Sequence, residues 1–231
     1  MNQVRRNVLA DMKKFATGIP PQSEVDWDLI WIFSGPGIDI AEDFRLPGGT
    51  ILFDDQDGAA LKDVARGINE SQERLLTGFV IAKDVAAKRL SKRVGALTLG
   101  HLSVYAPNVY WNGTDWQNDN LRCRIREGFM AEHCFPEEKM IVSPDVGIQH
   151  TGDQFTKIED WVIDGMRKIV LVSDTYHLPR IKRYLRKYRA KISPENTVLY
   201  PSQPLRVPVA KALSEIKKIP AYIERGILDP E

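Results

Sequence analysis

Apolar positions along this chain come in blocks. Residues 29–34 (LIWIFS) and 168–173 (KIVLVS) are near-continuous apolar runs, each followed by small, polar or glycine residues. A strand without polar alternation is buried on both faces, as in parallel sheets. Shorter runs at 109–111 (VYW), 140–143 (MIVS) and 197–200 (TVLY) predict three further strands. Between the runs, apolar positions recur at helical spacing. Val4, Val8, Leu9, Met12 and Phe15 predict a helix over residues 2–16, which Gly18, Pro20 and Pro21 stop. Residues 59–92 read as one or two helices with a break near Gly78. Residues 114 to about 133, 152–164 and about 208–226 read as helix as well. After the run at 168–173, Leu178, Ile181, Leu185 and Tyr188 mark the buried stripe of another helix, with Pro179 tolerated in its first turn. Residues 38–58 are irregular, and 95–108 read as an excursion between core elements.

Strands separated by helices of a dozen or so residues predict βαβ units. The expected fold is α/β: a three-layer Rossmann-like arrangement with a mostly parallel sheet and helices on both faces. One domain would cover 1–231, with its core at about 28–200.

Composition narrows the function classes only slightly. The 231 residues are 43% hydrophobic and 27% charged, and Lys+Arg (32) nearly balances Asp+Glu (31). That balance indicates neither a nucleic-acid nor a membrane-surface partner. The opening MNQVRRNVLADMKKF has no apolar run of signal-peptide length, and no window reaches the roughly 18 apolar residues of a membrane span. On one predicted helix, Cys123 and Cys134 would stand about 16 Å apart, beyond disulfide reach. Two thiols without a framework suit a reducing compartment, so a cytoplasmic protein is expected.

Parallel α/β sheets bind ligands in the crevice at the carboxyl ends of their strands. Four strand ends here carry small polar residues or glycine: Ser34-Gly35-Pro36-Gly37, Asn112-Gly113-Thr114, Ser143, and Ser173-Asp174-Thr175-Tyr176-His177. Each also has a purely structural reading. Thr114-x-x-Gln117 and Thr151-x-x-Gln154 match the capping box that satisfies free amides at a helix start, and a capped start still favours anions. Ser-Gly-Pro-Gly lacks both the dinucleotide-binding glycine spacing and a Walker lysine.

His177 and Arg180 stand three apart at the start of a helix, so both can face one ligand. Histidine titrates near neutrality and arginine grips a carboxylate or phosphate with two parallel bonds. The competing reading is a capping histidine and an arginine paired with a surface acid. Arg183, Arg186, Lys187 and Arg189 read as a solvated basic face. The scattered His101, His133, His150 and His177 offer no metal-binding spacing, and Asp54, Asp55 and Asp57 lack the rest of a calcium loop. Trp111 reads as core; for Trp116, core packing and stacking on a planar ligand are both open.

The pieces LIWIFSGPG, Glu73-Arg74-Leu75, VYWNGTD, HTGDQ and IVLVSDTYHLPR, spanning residues 29 to about 200, together resemble the ElyC/SanA/YdcF family of bacterial proteins. The most specific is a strand followed by Ser-x-x-Tyr-His-x-x-Arg. The resemblance implies a Rossmann-like fold with a ligand cleft at the strand ends, and S-adenosylmethionine as a possible ligand. By motif position, Gly35, Gly37, Arg74, Asn112, Gly113, Thr151, Gln154, Tyr176, His177 and Arg180 would line that cleft, with Thr114 and Ser173 beside them. The chain departs from the family pattern in the proline of its first turn, in Asn112-Gly-Thr where Ser-Gly-Gly is more usual, and in residues 95–108.

Three functions follow as expectations. The first is an enzyme acting on a phosphate-bearing or nucleotide-like small molecule, with His177 as acid or base and Arg74 and Arg180 holding the anion. The second is a non-catalytic sensor of S-adenosylmethionine or a nucleotide. The third is a scaffold that docks a partner through the basic helix 178–191.

Overall fold

The computed structural model describes residues 3–17, 26–34, 45–46, 50–51, 70–92, 96–144, 147–202 and 209–230. In chain order these form α1 (Gln3–Thr17), β1 (Leu29–Phe33), β2 (Arg45–Leu46), β3 (Thr50–Ile51), α2 (Glu70–Arg89), α3 (Leu99–Tyr105), β4 (Asn108–Asn112), α4 (Asp115–Arg126), α5 (Phe129–Glu132) and β5 (Met140–Val142). They continue as α6 (Thr151–Thr156), α7 (Asp160–Ile163), β6 (Ile169–Ser173), α8 (Leu178–Lys187), β7 (Thr197–Pro201) and α9 (Val209–Glu224). All five predicted strands are present. They form one parallel sheet in the order β5-β4-β1-β6-β7, while β2 and β3 pair separately as a short antiparallel hairpin.

That order has one place where the chain reverses direction across the sheet. From β1 it steps outward through β4 to β5, then returns to place β6 on the other side of β1. The gap at the carboxyl ends of β1 and β6 is therefore the switch point where doubly wound sheets bind ligands.

Helices cover both faces. Ile30 and Ile32 of β1, with Val109, Trp111, Val170 and Val172, pack against Leu75, Phe79 and Ala82 of α2, Leu102 of α3 and Leu121 of α4. The alternate β1 residues Leu29, Trp31 and Phe33 meet Val8 and Met12 of α1, Phe155 of α6, Ile181 and Leu185 of α8, and Ile219 of α9. Every residue of β1 and β6 is buried, as their unbroken apolar runs require.

Several expected element boundaries are corrected. α2 runs unbroken through Gly78, because a side chain there would collide with Ile32 of β1; the glycine is a close-packing site in a continuous helix. The expected helix from 114 to 133 splits at Gly128, whose φ of 100° is in the left-handed region that glycine adopts freely. Cys123 thus lies on α4 and Cys134 in the turn after α5, both as free, exposed thiols. The helix expected over 152–164 is two short ones, α6 and α7. The excursion at 95–108 contains α3, whose Leu102 is buried against the sheet.

The basic face is also corrected in part. Arg183 is buried and, with Lys182, pairs with Asp11 of α1 at 3.3 and 2.7 Å. Lys187 Nζ donates to the carbonyls of Gly226 and Ile227. Only Arg186 and Arg189 of that cluster are exposed.

Among the described residues, no helix is long and apolar enough to cross a membrane.

Candidate functional site

A cavity of about 310 Å³ opens at the switch point. Ser34 enters it from the end of β1, Arg74 from α2, and Thr114 and Gln117 from the start of α4. His150, Thr151 and Gln154 come from the start of α6, and Tyr176, His177 and Arg180 from the turn into α8. Seven of the sequence candidates line it: Arg74, Thr114, Thr151, Gln154, Tyr176, His177 and Arg180. Gly35 and Gly37 lie outside the described residues.

Asn112, Gly113 and Ser173 stand behind that wall. The fully buried Asn112 amide accepts from Trp31 Nε1 at 2.7 Å and donates to the Gln154 carbonyl at 2.9 Å. Gln154 in turn donates to Ser34 Oγ at 3.0 Å. Gly113 sits where a side chain would strike Gln117 and the Trp111 indole, and its amide donates to Asn118 Oδ1 at 2.9 Å. Trp111 is core, as read from the sequence, whereas Trp116 is exposed.

The two expected capping boxes part company. Thr114 caps α4 and exchanges bonds with Gln117. At α6 the cap is His150, whose Nδ1 accepts from the Asp153 amide at 3.3 Å while the Asp153 carboxylate takes the His150 amide. Thr151 is therefore the first residue inside the helix, and its hydroxyl has no capping work. It lies 3.1 Å from His177 Nε2 instead.

His177 occupies the cap position of α8, but its side chain makes no capping bond. Its Nδ1 lies 3.0 Å from Ser173 Oγ. The imidazole is thus held between two hydroxyls, one behind it and one on the cavity. Burial, followed by the nearby Arg180, Arg74 and Lys218 cations, pushes its pKa well below 6.5, so the ring is neutral at pH 7.

Both arginines of the cavity are matched by buried acids. Arg74 Nη1 donates to the Phe33 carbonyl at 2.9 Å, and its Nη2 is bonded to Asp174 Oδ2. Asp174 also accepts from Ser202 Oγ at 2.7 Å. Burial works against charge on Asp174, but the Arg74 guanidinium outweighs it and holds the carboxyl below its usual range, helped by bonds from Ser202 and Tyr176. Arg180 Nη2 lies 3.1 Å from Glu215 Oε1 of α9, so its partner is a buried acid and not the surface acid of the alternative reading. Burial raises the Glu215 pKa, against the opposing pull of Arg180 and Lys218.

Asp174 and Glu215 are absent from the sequence-based candidates, although each left a trace. Asp174 directly follows the strongest strand. Glu215 lies on the helical stripe of Ala212, Ile216, Ile219 and Ile223, which places a carboxylate on the buried face of α9.

Among the described residues, no group of three or more His, Cys, Asp or Glu side chains is placed to hold a metal ion. No known protein family, curated protein or solved structure matches the chain.

Proposed function

We propose that this crevice binds a phosphate-bearing or nucleotide-like small molecule and that His177 passes a proton to or from it. One observation carries this reading. A neutral imidazole, a cationic guanidinium (Arg180) and the hydroxyl of Thr151 converge on one cavity at the switch point of a parallel sheet. Arg180 supplies charge for an oxyanion, and the ring supplies the proton chemistry. The ElyC/SanA/YdcF resemblance belongs to the same proposal. Its support is that Tyr176, His177 and Arg180 of the Ser-x-x-Tyr-His-x-x-Arg stretch line the cavity, with Ser173 bonded behind His177, and it makes S-adenosylmethionine a sensible probe.

A non-catalytic sensor is the second reading, favoured by one specific observation: both ring nitrogens of His177 already face protein hydroxyls. The scaffold reading draws less support, because Lys182, Arg183 and Lys187 of the basic helix are spent on contacts within the chain.

The test is a thermal-shift screen against S-adenosylmethionine, nucleotides, sugar phosphates and divalent metals, with Arg180→Ala alongside. A ligand at about 100 times its Kd stabilises by roughly 2.7 kcal/mol. A shift seen with the wild type and lost in Arg180→Ala supports the site; equal shifts in both proteins refute it. His177→Gln then separates the readings: an enzyme loses turnover with binding retained, whereas a sensor is unaffected.

A further inference from the structure

Hydroxyl and imidazole groups can donate or accept, so the direction of the Ser173–His177–Thr151 chain must come from its surroundings. Ser173 is fully buried, and among the described residues its hydroxyl meets one partner, Nδ1 of His177. If Nδ1 carried the ring proton and donated to Ser173, the serine proton would have nowhere to go. A buried donor left without an acceptor is costly, so Ser173 donates and Nδ1 accepts. A neutral imidazole carries one N–H, which then sits on Nε2 and donates to Thr151 Oγ1 at 3.1 Å. His177 is the one side-chain partner of Thr151 Oγ1 among the described residues, and His150 has relieved Thr151 of capping. The Thr151 proton is left to point into the cavity.

We infer that Ser173, His177 and Thr151 form a one-way hydrogen-bond relay ending in a donor aimed at the ligand, so that Thr151 favours an oxyanion oxygen of phosphate or carboxylate over a donor such as an amine. The inference rests on the reading of the cavity as a binding site for a small anionic molecule, and it assigns roles within it. In binding, Thr151 touches the ligand while His177 and Ser173 orient it; the proton that His177 passes in turnover travels through the Thr151 hydroxyl. Arg180, on the same wall, supplies the charge.

The relay has a spectroscopic signature. Long-range proton–nitrogen correlation on protein labelled with nitrogen-15 in histidine should show His177 with Nε2 protonated and Nδ1 bare at pH 7.5. Ser173→Ala removes the donor that fixes this tautomer, so part of the Nε2 signal should pass to Nδ1. Binding is followed by calorimetry with inorganic phosphate and, separately, acetate, which distinguishes the two oxyanion sources. Thr151→Val should weaken the bound anion about tenfold or more, while Thr151→Ser should keep wild-type affinity. His177→Gln presents an acceptor and a donor in the same order and should bind almost as well.

A bare Nε2 with Nδ1 protonated overturns the relay, even if phosphate binds. Equal affinity in Thr151→Val overturns the role of Thr151. If neither anion binds the wild type, the ligand assignment falls together with the reading it rests on, whereas the tautomer result judges the relay separately.

Discussion

Arg180 Nη2 lies 3.1 Å from Glu215 Oε1, which seats the cavity's outermost cation against a carboxylate from the last helix. The second oxygen of Glu215 is buried with no hydrogen-bond partner among the described residues. A ligand oxyanion must therefore share Arg180 with a competitor that is itself poorly satisfied. Removing that charge favours the ligand: Glu215→Gln should tighten inorganic phosphate about tenfold, the scale of one charge-assisted bond. Titration calorimetry of wild type and variant checks this. Unchanged or weaker binding would show that Arg180 does not hold the anion.

The Arg74–Asp174 pair predicts a different outcome. Both side chains are almost wholly buried, and Arg74 also ties down the Phe33 carbonyl. Arg74→Ala leaves the Asp174 carboxylate buried without its cation, which should cost about 3–5 kcal/mol in urea denaturation. Arg74→Met combined with Asp174→Leu should recover a large part of that loss, since no charge is then stranded.

His177 makes stability depend on pH. The charges acting on it are the cations Arg180 on its own helix, Arg74 of α2 and Lys218 of α9; the acids Asp174 and Glu215 pair with Arg74 and Arg180. The unfolded chain takes up a proton near pH 6.5, while the folded ring resists it because burial and the three cations depress its pKa. Its contribution is present above pH 6.5 and is lost as pH falls toward the folded value, at no more than about 1.4 kcal/mol per pH unit. Glu215 works in the opposite sense at lower pH, because its raised pKa lets protonation favour the fold. The difference between wild type and His177→Gln isolates the histidine. Between pH 7.5 and 5.5 the variant should lose less stability than the wild type.

Asn112 predicts a loss of stability that exceeds the loss of binding. Asn112→Ala strands the Trp31 indole donor and the Gln154 carbonyl, both buried, and should cost about 2–4 kcal/mol. Phosphate affinity should change only through Gln154. If binding vanished while the unfolding midpoint held, Asn112 would be a ligand contact.

The sheet was legible in the chain because its central strands are buried on both faces: LIWIF and IVLV have no polar residue to confuse the period. The helices were harder. Nothing local distinguishes Gly78, which packs inside a helix, from Gly128, which ends one; the difference lies in Ile32, 46 positions away. The site was legible where its residues follow strands directly, as His177 and Arg180 follow β6. It was illegible where function depends on partners distant in sequence. Arg180 does not announce Glu215, and the Thr151-x-x-Gln154 spacing concealed that His150 takes the cap.

Gly78 has a consequence beyond its own contact. It lets α2 lie against Ile32 at a separation that no side chain at that position would permit. Arg74 projects from the preceding turn of the same helix, and its reach to Phe33 and Asp174 is set by that separation. A missing methyl group thus acts as a gauge block for a charge pair four residues away. Gly78→Ala should cost about 1–3 kcal/mol as overpacking. It should also retune the electrostatics of the cavity, at a distance, without changing a single group inside it.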